Sequence, residues 1–182
     1  MHQHSCSETL LNSQPVFDGR LFQVRVDSVR LRNGKETNRE VVDHSPSVAV
    51  VPVDACDNVL LVRQYRYSVD EFLLELPAGG VEPGETPEEA AQRELKEEIG
   101  YGSGCLRRLG EFWISPGYCT ELMYAYLAND LQSTILPSDW DEDIKVEKMP
   151  VAEAIELINC GEIRDSKTIA VLLMSLQCLK LN

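Results

Sequence analysis

Between Gly79 and Tyr101 the chain carries a loop and a helix whose two ends are both written into the residues. Thr86, with Glu89 three positions on, forms a capping box; Pro87 takes the favoured first helical position, and Gly100 supplies the stop. A helix so bounded places Ala91, Leu95 and Ile99 on one apolar stripe, which commits that edge to a core. Beside the stripe, Glu94, Glu97 and Glu98 stand at i, i+3 and i+4, so three carboxylates share one narrow sector. In a solvated helix such repulsion costs only roughly 0.2–0.5 kcal/mol per pair, so by itself it marks no site.

The surroundings decide. The preceding loop holds Gly79, Gly80 and Gly84 with Pro83, which suits a tight, preformed backbone close to a ligand. Arg93, four residues before Glu97, flanks the acidic sector and can reach back to a loop carboxylate such as Glu85. Clustered carboxylates beside a fixed loop suit hard divalent cations, magnesium above all, shared with a substrate phosphate. The chemistry expected is metal-assisted phosphoryl transfer.

The remaining chain constrains the fold. At 182 residues and 43% hydrophobic content it supports one catalytic domain with a small N-terminal extension. We expect a tail and extension over 1–45 and the catalytic domain over 46–182. Residues 20 to 31 alternate, and Asn33-Gly34 signals a hairpin before Arg39 to Val42. Further strands are expected at Val48 to Val53, Val59 to Gln64, Phe72 to Leu76, Gly110 to Ser115, Leu122 to Leu131 and Ile144 to Met149. Helices follow at Val151 to Asn159 and from about Ser166 to Leu179. Strands and helices mixed without regular alternation predict an α+β fold.

A net charge of −13 argues against a nucleic-acid partner, whose affinity would rest on basic patches. The opening residues lack a secretory pattern and no apolar run reaches membrane-spanning length, so a cytoplasmic protein without a membrane partner is expected. The six cysteines show no C-x-x-C pair, and buried or neutral thiols are expected for most of them.

The segment resembles the Nudix box, G-x5-E-x7-R-E-U-x-E-E-x-G-U with U a bulky residue. Gly79, Glu85, Arg93, Glu94, Leu95, Glu97, Glu98, Gly100 and Tyr101 fill it without a departure. The resemblance implies an α/β/α sandwich on a mixed sheet, here with an N-terminal β-hairpin extension. It also implies Mg2+ as cofactor, with Mn2+ as a substitute, held by Glu94, Glu97, Glu98 and the backbone carbonyl of Ala78. Catalytic roles fall to Glu97, Arg93 and a loop glutamate, for which Glu142 is chosen over its neighbours Asp141, Asp143 and Glu147. Pro116, fifteen residues beyond Tyr101, is similar to the mark of the ADP-ribose pyrophosphatase subgroup, as are Arg63-Gln64-Tyr65-Arg66 and Leu74-Glu75-Leu76-Pro77-Ala78-Gly79. Arg66, Pro116 and Glu75 are then the substrate-binding candidates.

The activity implied is hydrolysis of the diphosphate of ADP-ribose to AMP and ribose 5-phosphate. The alternatives are another nucleoside diphosphate sugar, such as a UDP-sugar or GDP-mannose, or a non-catalytic module that senses nucleotides. The extension and the resemblance together point to a homodimer.

Overall fold

The computed structural model describes residues 8–134 and 144–179, which divide into two compact units. The first comprises the N-terminal residues to Ser45 together with Trp113–Leu122. Within it, β1 (Glu8–Asp18), β2 (Phe22–Leu31) and β3 (Glu36–His44) make an antiparallel sheet in that order. The expected hairpin joins β2 to β3, with Gly34 at φ 82° in the left-handed region that an Asn-Gly turn favours. The strand β1 is an addition. Its residues are exposed from Thr9 onward, so no alternating pattern announced it. The segment 113–122 closes on β3 through Val42 N–H to the Tyr118 carbonyl at 2.7 Å and Thr120 N–H to the Val42 carbonyl at 3.0 Å.

The second unit holds Pro46–Phe112 and Met123 onward. It is α+β. One sheet is mixed and runs β7 (Ala78–Gly80), β4 (Ser47–Pro52), β9 (Leu122–Ser133), β8 (Tyr101–Trp113), with β4 parallel to β9 and antiparallel to β7. The other is antiparallel and runs β10 (Ile144–Pro150), β5 (Asn58–Arg66), β6 (Glu71–Glu75). The β4 strand is buried along its whole length, as expected where a strand is covered on both faces. Helices α1 (Pro87–Ile99), α2 (Val151–Asn159) and α3 (Ser166–Ser175) complete the sandwich, α1 packing on β4, β7, β5 and β10.

The α1 ends are as the residues dictate. Thr86 accepts from Glu89 N–H, the Glu89 side chain answers the Thr86 N–H at 2.8 Å, and Gly100 caps at φ 72°. Ala91 and Leu95 are wholly buried and join Val48, Val50, Leu60, Val62 and Tyr126 in one core. That packing fixes which way the acidic sector faces.

Two expectations need correction. The last helix ends at Ser175 rather than near Leu179, since beyond it the chain turns through Cys178 N–H to the Ser175 carbonyl at 2.8 Å. None of the five described cysteines is buried: Cys56, Cys105 and Cys160 are exposed, and Cys119 and Cys178 are half-buried. No described helix is long and apolar enough to cross a membrane.

Candidate active site

The short strand β7 and the buried face of α1 meet at Gly79. A Cβ on that residue would lie 2.0 Å from Glu94 Oε1, so only glycine lets the strand approach the carboxylate. One residue earlier, the Ala78 N–H donates to Glu98 Oε2 at 3.2 Å. Glu94 and Glu98 are each only 8% exposed, an unusual depth for carboxylates on one helix face.

Arg93 binds this region together. Its Nη1 donates to Glu94 Oε1 at 2.7 Å and to Glu97 Oε2 at 3.0 Å, while Nε and Nη2 grip Glu85 at 3.0 and 3.1 Å. Nη2 also donates to the Gly80 carbonyl at 2.8 Å. The reach back to Glu85 expected from the residues is therefore present, and it ties the glycine loop to the helix. The hydrogen bond to Glu85 is the main reason the Arg93 guanidinium is held above its ordinary range, against the opposing effect of burial. Arg93 in turn pulls the Glu85 carboxyl below its ordinary value.

One guanidinium thus serves three carboxylates, with Glu98 beside them on the Ala78 amide. Among the described residues no three acidic, histidine or cysteine side chains close into a cage around one point, and Arg93 bridges Glu94 and Glu97. The donor chemistry nevertheless fits a hard divalent cation, since every donor is an oxygen and most of the charge is taken out of water.

A second charged group lies at the ends of β5 and β6, in the other sheet. Arg66, at the end of β5, grips Glu75 in bidentate fashion, Nε to Oε1 and Nη2 to Oε2, both at 2.7 Å. Glu75 is 1% exposed and also receives Lys167 Nζ. Burial pushes the Glu75 carboxyl up, but Arg66 and Lys167 outweigh it and hold the group below its ordinary value. The Arg66 guanidinium is raised chiefly by Glu75, and it also feels the charges of Glu98 and Asp165.

The residues singled out from the sequence are therefore distributed unevenly. Glu94, Glu97, Glu98, Arg93 and Ala78 come together at the start of β7. Arg66 and Glu75 pair with each other. Pro116 belongs to the first unit, in a turn closed by Tyr118 N–H to the Ser115 carbonyl at 3.1 Å. Glu142, with Asp141 and Asp143, lies outside the described residues. Its neighbour Glu147 faces Arg63 across β10 and β5, accepting Arg63 Nε at 2.7 Å. Lys167, Asp165 and Thr168 were not foreseen, because no spacing rule links the start of α3 to residues some 90 positions earlier.

A glycine strand is set against the acid-edged helix, with one arginine cross-linking both. Comparison with known proteins gives the family. The NUDIX domain model matches residues 43–172, and the model described as nucleoside diphosphate sugar hydrolase N-terminal domain matches residues 8–42. The chain belongs to the Nudix hydrolase family. It is 36% identical over 166 residues to the ADP-ribose pyrophosphatase of Bacillus subtilis (strain 168), covering 90% of each chain. It is also 36% identical over 173 residues to the methanol dehydrogenase activator of Bacillus methanolicus, covering 93% of this chain and 94% of that one. A crystal structure of an ADP compounds hydrolase superimposes with a TM-score of 0.87 at 29% identity, covering 96% of this chain and 95% of that one.

Proposed function

We propose that this chain is a magnesium-dependent hydrolase that cleaves the diphosphate of ADP-ribose to AMP and ribose 5-phosphate. The observation that carries the reading is the oxygen-donor grouping at α1 and β7, where Arg93 ties Glu85, Glu94, Glu97 and the Gly80 carbonyl together beside Glu98 on the Ala78 amide. Similarity to the Bacillus subtilis ADP-ribose pyrophosphatase over 90% of both chains supports the choice of substrate.

Glu94, Glu97, Glu98 and the Ala78 carbonyl would hold the cation, which when bound supplies neutralisation of the diphosphate charge and acidifies a water. Mn2+ has the same preference for oxygen donors and is expected to substitute. Arg93 binds Glu94 and Glu97 and fixes the glycine loop to the helix. Arg66 spends Nε and Nη2 on Glu75, which leaves Nη1 to meet a phosphate oxygen from a guanidinium already fixed in orientation. Pro116 shapes a substrate-contacting turn. Glu142 takes or positions the proton of the attacking water, a role worth about 10²–10⁴-fold.

We further propose that the enzyme is a cytoplasmic homodimer. The first unit exposes Leu10, Val16, Phe17 and Leu21, apolar side chains that a second copy would cover. Sedimentation as a monomer at micromolar concentration would remove this part of the reading.

A panel of nucleoside diphosphate sugars incubated with magnesium, with products resolved by chromatography, tests the substrate. AMP and ribose 5-phosphate from ADP-ribose, at a kcat/KM above those for UDP-sugars and GDP-mannose, is the expected result. Preference for another member of the panel favours the broader reading suggested by the N-terminal model over residues 8–42. No magnesium-dependent turnover of any member would leave a non-catalytic, nucleotide-sensing module.

A further inference from the structure

The first turn of α3 makes a continuous set of polar contacts to the strand that leads into the glycine loop. Asp165 caps the helix, accepting from Thr168 N–H at 2.9 Å and from Thr168 Oγ1–H at 2.6 Å. With its proton so committed, the fully buried Thr168 hydroxyl turns a lone pair to the Leu76 N–H, which donates to it at 2.8 Å. Asp165 Oδ2 also lies 3.0 Å from Lys167 Nζ, and that ammonium reaches on to Glu75 Oε2. Glu75 in turn holds Arg66. Two consecutive residues of α3 therefore grip two consecutive residues of the strand end, Lys167 on Glu75 and Thr168 on Leu76.

The position of that grip is what matters. Leu76 is two residues before Ala78, whose amide lies on Glu98, and three before Gly79, where an added Cβ would run into the Glu94 carboxylate. Pro77 between them has a fixed φ, its carbonyl accepts from the Val50 N–H at 2.9 Å and Ala78 pairs with Ala49 on β4, so a displacement at Leu76 strains backbone already held on that side. On the other arm, Lys167 takes part of the charge of Glu75. Without it, Glu75 would neutralise Arg66 fully and could turn with it.

We propose that Lys167 and Thr168 are positioning residues for the active site: Thr168 sets the Ala78 backbone against the α1 carboxylates through Leu76, and Lys167 sets the orientation of Arg66, and the charge around it, through Glu75. The inference rests on the functional reading above and adds to it a control point on a helix that carries none of the box residues. The two arms predict different losses. Thr168 acts on the cation-binding side and Lys167 on the phosphate-binding side.

The test uses the full chain with Thr168→Val, Thr168→Ser, Lys167→Met and Lys167→Arg. Mn2+ binding is measured without nucleotide by calorimetry, and kcat and KM are measured with ADP-ribose. Thr168→Val is expected to weaken Mn2+ binding by about 10–100-fold, the usual cost of losing a partner that orients a ligand, and Thr168→Ser to restore most of it. Lys167→Met is expected to raise KM about tenfold with kcat changed much less and Mn2+ affinity kept, and Lys167→Arg to restore KM. Folded Thr168→Val with wild-type Mn2+ affinity, or Lys167→Met with wild-type KM, overturns the corresponding arm. If Thr168→Val does not fold, Thr168→Ala takes its place with the same Mn2+ readout and the same overturning result, and Lys167→Met tests the other arm, since its loss leaves Glu75 paired with Arg66. A wild-type chain that neither binds Mn2+ nor hydrolyses the panel overturns the functional reading itself, a result distinct from failure of either variant.

Discussion

The two charged clusters of the second unit are built from the same materials and balanced differently. Around Glu75, two carboxylates, Glu75 and Asp165, face two cations, Arg66 and Lys167. Along α1, Glu85, Glu94 and Glu97 share the Arg93 guanidinium. A buried carboxylate is tolerated only when its charge is met; the first cluster meets its carboxylates one for one, whereas along α1 one guanidinium is shared among three. Depth of burial does not separate them, since Glu75, Glu94 and Glu98 are all buried. The ratio of cations to carboxylates does.

The largest test of that difference is removal of a carboxylate from the deficient side. Glu97→Gln or Glu98→Gln is near-isosteric and relieves repulsion, so the fold should be retained or slightly stabilised. Turnover of ADP-ribose should nonetheless fall by more than the roughly 10–100-fold that loss of a ligand's supporting partner costs. Stopped assays across a magnesium titration would show it, and near-normal rates at low magnesium in either variant would remove these residues from cation binding.

Arg93 gives the next effect. Its side chain is 24% exposed, and Arg93→Met leaves Glu85, Glu94 and Glu97 without their shared cation. Breaking a buried ion network by removing one partner costs about 3–5 kcal/mol, and partial exposure here puts the expectation near the lower end, about 3 kcal/mol. Because the deficit is one of charge, millimolar magnesium should raise the melting temperature of this variant more than that of the wild type. Equal shifts in the two proteins would mean that Arg93 and an added cation do not answer the same deficit.

How much of this arrangement could be read from the chain depends on how local its causes are. The α1 helix, its capping box, its glycine stop and the Arg93–Glu85 link all lie within a few turns of one another, so residue spacing specifies them. Strands β4 and β5 show β-branched or apolar runs because both their faces are largely buried. The β1 strand was missed for the opposite reason, being exposed along nearly its whole length and carrying Pro15. The first half of β8 was missed because Gly102 and Gly104 weaken any strand signal there. The Glu75 cluster draws on residues 66, 75, 165, 167 and 168, and only the folded chain brings them together. Sequence pattern thus reveals the deficient cluster, which is local, and hides the balanced one, which is not.

The smallest effect expected lies on the balanced side and separates the clusters by pH. The Glu75 carboxyl is held below its ordinary value of 4.5 when folded, after burial and its two cations are weighed together. A depressed carboxyl contributes stability that is present in full above about 4.5 and is lost as pH falls through the folded value. Glu75→Gln removes that contribution and should cost about 2 kcal/mol near neutral pH, the scale of hydrogen bonds to a charged group. In urea unfolding the gap between wild type and Glu75→Gln should therefore be widest at neutral pH and close as the solution is acidified below 4.5. Magnesium should leave the gap unchanged, because the cations that meet this carboxylate are Arg66 and Lys167. A gap that stays constant with pH would mean that Glu75 contributes through shape rather than charge, and the distinction between a self-neutralised cluster and a cation-seeking one would then rest on α1 alone.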